Sequence, residues 1–162
     1  MSDLSYPECT RELYESEIFG EAIFLALVAI AKNPRDRYHL GTLLQLETET
    51  KARLRPLLYG HGVSLDEAMD LAGVELAVLG YEALSWQEFM AANIPVVQGF
   101  LTQFEAIVEI GPADDHDVLQ SMVTHESAIL KWATMESKGV TSGSLDDVIA
   151  QLQYPLPVPA GT

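Results

Sequence analysis

Apolar residues recur every three or four positions through most of the chain, and no stretch alternates long enough with the period of two that a strand requires. Breakers fall between these periodic runs. A first long helix is predicted over about Thr10 to Lys32, ending before Asn33-Pro34, which reads as an N-cap and a first-turn proline. The second continues to about Tyr59 and stops at Gly60-His61-Gly62, with Pro56 expected to loosen its last turn. Ser64 and Glu67 have capping-box spacing, so a short helix is predicted from Ser64 to about Leu79, closed by Gly80. Ser85 and Glu88 repeat the box and open a third long helix to about Ile110, where Pro95 predicts a kink near Asn93. Gly111-Pro112 precedes a fourth, Ala113 to Lys138, which Gly139 ends. Ser144 with Asp147 starts a last short helix to about Gln153, and prolines 155, 157 and 159 make the tail an extended arm.

Four long helices and two short ones imply an all-α fold, a four-helix bundle in a single domain spanning 1–162, with 1–9 and 154–162 as arms. The connection between the second and third long helices is long enough to cross the bundle's length, which lets those two helices run parallel.

The apolar stripes carry a few polar residues where a core is expected. Glu21 interrupts Tyr14, Ile18, Leu25 and Val28, and Glu47 interrupts Leu40, Leu43, Leu54 and Leu57. In the fourth long helix His125 lies in line with Val118, Met122, Ile129 and Trp132, and Glu126 lies on the neighbouring stripe. All four sit near the middle of their helices, so they are expected to meet at one level. An ionised carboxylate removed from water without a partner costs several kcal/mol, and neighbouring carboxylates repel. A cation held by carboxylates and imidazole is the simplest compensation. The third helix offers Asn93, Gln98 or Glu105, none with the signature of a central ligand.

Charge narrows the function classes. Twenty-four acids face nine bases, a net charge of −15, which disfavours binding to nucleic acid or an anionic membrane surface. The most apolar run, Ile18 to Ala31, is too short for a bilayer and contains Glu21. One cysteine, Cys9, placed in the N-terminal arm, forms no intrachain disulfide, and the first residues lack a signal-peptide pattern; a cytoplasmic protein is predicted. His39, His61 and His116 are expected to face solvent.

Through EIFGEAIF around Glu21, LLQLETETK around Glu47 and MVTHESAIL around His125-Glu126, the chain resembles the ferritin-like superfamily, the rubrerythrin-type di-iron carboxylate bundles. The likeness extends architecturally from Ser16 to Gly139 and includes the long crossover. In that family two helices each supply a glutamate and two supply Glu-x-x-His, together holding two irons that activate dioxygen. The resemblance makes Glu21 the first-helix glutamate, Glu47 the glutamate of the second-helix motif and His125 the histidine of the fourth. The set is incomplete: Thr50 stands where the second-helix histidine belongs and Met122 where the fourth-helix glutamate belongs, with Glu126 one step from His125 as its substitute.

Two readings follow. One is a ferritin-like protein with a metal site at Glu21, Glu47, His125 and Glu126, an iron- or manganese-dependent oxidoreductase with one or two ions and a substrate entering beside Phe24, Phe100 and Trp132. The other is a bundle that has lost its metal and acts as a non-catalytic binding or assembly module. Phe19, Phe24 and a Trp86–Phe89–Met90 patch are expected to supply a small-molecule or homodimer surface.

Overall fold

The computed structural model describes residues 4–68 and 70–159, and among these the chain is all-α, with six α-helices and no strand. The helices are α1 (Tyr6–Ala29), α2 (Pro34–Gly60), α3 (Ala72–Ala83), α4 (Trp86–Ile110), α5 (His116–Ser137) and the single turn α6 (Asp146–Ile149), with a 3-10 turn at Ala113–Asp115 leading into α5. Residues 1–3, Met69 and 160–162, parts of the two expected arms and of the first short helix, lie outside the described set.

Local chemistry explains the boundaries. Helix α1 begins at Tyr6 rather than Thr10, because Ser5 and Glu8 close a capping box and Pro7 suits the first turn. The nine-residue arm is therefore shorter than expected, and Cys9 is a buried helical residue. Asn33 caps α2 by accepting from Asp36 N at 2.8 Å, and the helix runs on through Pro56 to Gly60. Ser85 and Glu88 form the predicted box, and α4 passes through Pro95 without interruption. Gly139, at φ 72°, takes the left-handed conformation that follows α5.

The two short helices differ most from the sequence pattern. Ser64 and Glu67 do not cap a helix: Ser64 accepts from Asp66 N, and the Glu67 carboxylate turns to Lys51, Arg55 and the Tyr14 hydroxyl. Charged partners outcompete one backbone amide, so α3 starts only at Ala72. Ser144 likewise donates to Glu136 at 2.5 Å instead of capping, and Asp147 pairs with Lys131, leaving α6 one turn long.

Helix α1 packs along α2, and α4 along α5. Two apolar clusters hold them. Leu27, Leu40, Leu43, Phe89, Met90 and Trp132 form one; Leu13, Tyr14, Leu54, Leu58, Phe104 and Leu119 form the other. Each buried side chain of this size contributes about 1.5–3 kcal/mol, against about 1 kcal/mol for a cap, so packing rather than capping dominates the fold's stability. The starts of α2 and α4 lie in the first cluster and their ends in the second, so the segment 61–85 returns the chain from one cluster to the other. The expected Trp86–Phe89–Met90 surface patch is not a surface: Phe89 and Met90 are buried in the first cluster, where Tyr81 of α3 covers Phe89 edge-on. Among the described residues no helix is long and apolar enough to cross a membrane.

Candidate functional site

Between the two apolar clusters lies a polar layer. In α1, Glu17 falls between Tyr14 and Leu27; in α2, Glu47 and Thr50 fall between Leu46 and Leu54; in α5, His125 and Glu126 fall between Met122 and Ile129. All five polar residues are buried. His125 and Glu126, adjacent in sequence and about 100° apart around the helix, both reach this layer.

His125 is its hub. Its Nε2 lies 3.6 Å from Glu17 Oε2, 3.6 Å from Glu47 Oε2 and 3.8 Å from Glu126 Oε2, all beyond hydrogen-bond range. On the far side of the ring, Nδ1 is 3.1 Å from Thr50 Oγ1. With Nδ1 carrying the proton toward Thr50, Nε2 presents a lone pair to the three carboxyl groups. Glu17 Oε2 and His125 Nε2 have no hydrogen-bond partner although both are buried. One ligand atom from each of Glu17, Glu47 and His125 lies within 4.8 Å of the others.

The electrostatics are those of an uncompensated cluster. Burial pushes the carboxyl groups of Glu17 and Glu47 well above the ordinary carboxylate range, and the repulsion each feels from its acidic neighbours adds to it. A hydrogen bond between these two acids lowers one and raises the other, as a single proton held between them does. Burial alone lifts Glu126 to about 8. Burial, helped by the charge of Arg53, lowers His125 to about 3, so the imidazole is neutral.

Of the four residues expected in the layer, the structure brings together Glu47, His125 and Glu126. Glu21 lies outside it. Its side chain is 25% exposed, forms an ion pair with Lys51 and accepts from the Thr48 hydroxyl. One helical turn earlier, Glu17 occupies the inner position. The sequence held a signal for this: Leu13, Glu17, Gly20, Phe24 and Leu27 form a continuous stripe, and Leu25, which made the Glu21 stripe look internal, is 59% exposed. Gly20 completes the geometry. A Cβ there would stand 2.6 Å from the Glu47 carboxylate, so only glycine lets α2's acid seat against α1.

Helix α4 contributes no acid to this layer. Gln98 and Glu105 are exposed, and the Asn93 amide donates to Phe89 O within its own helix at 2.7 Å. It supplies apolar wall instead. A cavity of about 100 Å³ lies among α1, α4 and α5, with Glu17, Glu47 and Glu126 in its lining.

The remaining histidines are placed otherwise. His116 is exposed, and His61 lies at the surface 2.7 Å from Asp115. His39, expected in solvent, is buried and accepts from Trp132 Nε1 at 3.0 Å, because α2 turns its first two turns against the tryptophans of α4 and α5.

No protein-family model, no curated protein and no solved structure matches this chain.

Proposed function

We propose that the chain is a ferritin-like four-helix protein whose Glu17, Glu47 and His125 hold a divalent metal ion, iron or manganese, with Glu126 as a further carboxylate, and that it works as a metal-dependent oxidoreductase. One observation carries this reading. Two buried acceptors, Glu17 Oε2 and His125 Nε2, face each other without a partner, in a layer where three acids crowd one neutral imidazole. The donor set fits such an ion: carboxylate and imidazole ligands sit about 2.0–2.2 Å from a metal, which spaces neighbouring ligand atoms about 3.0–3.6 Å apart, close to the separations found. The contact of Nδ1 with Thr50 matches the second-sphere bond that fixes the tautomer of a ligating histidine.

A redox-active ion in this position supplies one-electron chemistry. The chain's part is to ligate through ionised Glu17 and Glu47 and neutral His125, releasing the protons these acids hold without the ion, and to keep water out with the two apolar clusters. The parallel course of α2 and α4 and the long return between them support the ferritin-like assignment; Thr50 and Met122 in place of two expected ligands point to a single ion.

The test is metal content. Protein purified without an affinity tag, or titrated anaerobically with ferrous iron or manganese, should hold a stoichiometric ion, and Glu17→Gln should lose it. No bound metal after both loadings removes this reading. The hydrogen bond between Glu17 and Glu47 favours one other: a metal-free bundle, its acids balanced by shared protons, serving as a non-catalytic binding or assembly module, dimeric in solution.

A further inference from the structure

The cavity beside the polar layer has two unlike ends. Phe24 of α1, Val97 and Phe100 of α4 and Trp132 of α5 wall it with apolar surface, while Glu17, Glu47 and Glu126 form its polar end. His125 is not in the lining, so the order runs from cavity to carboxyl groups to imidazole to Thr50. We propose that this cavity binds a small, uncharged, apolar molecule, a single aromatic ring or a short aliphatic chain, with one end held against the carboxyl groups. That such a molecule is the substrate rests on the metal reading; that it binds does not.

Size and charge both select this class. An apolar cavity of about 150 Å³ takes up benzene, and drug-sized ligands need several hundred Å³, so about 100 Å³ suits a single ring or less. Val96, one of the lining residues, is 52% exposed, so the cavity reaches the surface at α4. An anionic head finds no cationic side chain in the lining and would give up its water there without an opposite charge to replace it. A bulky polar ligand finds only apolar side chains along the walls, apart from Asn93 and Ser16, whose amide nitrogen and hydroxyl already donate within their own helices.

Toluene is the probe, followed by tryptophan fluorescence because Trp132 lines the cavity and Trp86 contacts it edge-on at 6.0 Å. Both metal-free and iron-loaded samples are titrated. Saturable binding is expected to the unaltered chain, with benzoate, the same ring bearing a charge, at least about tenfold weaker. Val97→Phe, which fills the cavity, should weaken toluene about tenfold or more while ferrous binding is unchanged. Absence of a saturable toluene response in both samples, or benzoate binding as well as toluene, overturns the proposal, and neither outcome depends on the variant folding. If toluene binds and iron does not, the cavity assignment stands and the oxidoreductase reading falls. If iron binds and toluene does not, the reverse holds.

Discussion

Two buried clusters in this chain each pair glutamate with histidine, and they are built oppositely. Near the start of α2, Glu136 accepts from Arg35 Nη2 at 2.6 Å, Trp86 Nε1 at 2.7 Å and Ser144 Oγ at 2.5 Å, while His39, 3.8 Å away, accepts from Trp132. Burial raises the Glu136 pKa, but those donors outweigh it and hold the group below its ordinary value. In the middle layer Glu17, Glu47 and Glu126 surround His125, Arg53 acts on Glu17 and His125 only through its field, and Glu17 Oε2 and His125 Nε2 go unpaired. Satisfied polar groups tie α2, α4, α5 and the turn before α6 together. Unsatisfied ones raise the energy of the fold.

Replacing the glutamate of each cluster with its amide should give opposite signs, and this is the largest expected contrast. Glu136→Gln breaks charge-assisted bonds and should cost about 2 kcal/mol, read as a lower thermal midpoint. Glu47→Gln removes a repelled carboxyl group and should raise the midpoint of the metal-free chain while abolishing metal binding. A loss of stability in both would erase the distinction.

Acidity should separate the clusters next. In the metal-free fold Glu126 keeps its proton to about pH 8, whereas the unfolded chain releases it near 4.5, so the stability from this group is whole below about 4.5 and drains as pH rises to about 8. His125 runs the other way: neutral down to about 3 when folded, its contribution is whole above about 6.5 and is lost as pH falls toward 3. Glu17 and Glu47, raised as well, act in the same sense as Glu126, so three acids outweigh one imidazole. Thermal midpoints of the metal-free protein should therefore fall as pH rises above about 4.5, and saturating metal ion should lift the alkaline side.

Gly20→Ala sharpens the geometry with a smaller effect. Its methyl group displaces the Glu47 carboxylate, at about 1–3 kcal/mol and with weaker metal binding; unchanged affinity in a metal titration would show that Glu47 need not sit against α1. Smallest is Glu21→Gln. It weakens a charge-assisted bond to buried Lys51, which keeps Glu67 as a second partner, by about 1 kcal/mol and should leave metal binding intact, whereas a loss of the ion would return Glu21 to the site.

The long helices could be read from the chain because their signals are local. Periodic apolar residues, the Asn33 and Ser85 caps, Gly111-Pro112 and Gly139 act within a few residues of themselves. The polar layer was legible in part for a related reason: Glu47, His125 and Glu126 stand where their helices are otherwise apolar on both sides. The two short helices were legible in existence but not in extent, since Glu67, Ser144 and Asp147 are drawn to partners elsewhere in the chain and Ser64 accepts from Asp66 N instead of capping.

What the amino-acid order determined by itself is the all-α class, the four long helices and three members of the buried polar layer. Tertiary structure alone decided that Glu17 faces inward and Glu21 outward. The two residues differ by about 40° around α1, and stripes through either one are apolar enough to be buried. Packing chose between them, because Lys51 on α2 gave Glu21 a charged partner at the surface and Gly20 left room beside Glu17 for the Glu47 carboxylate.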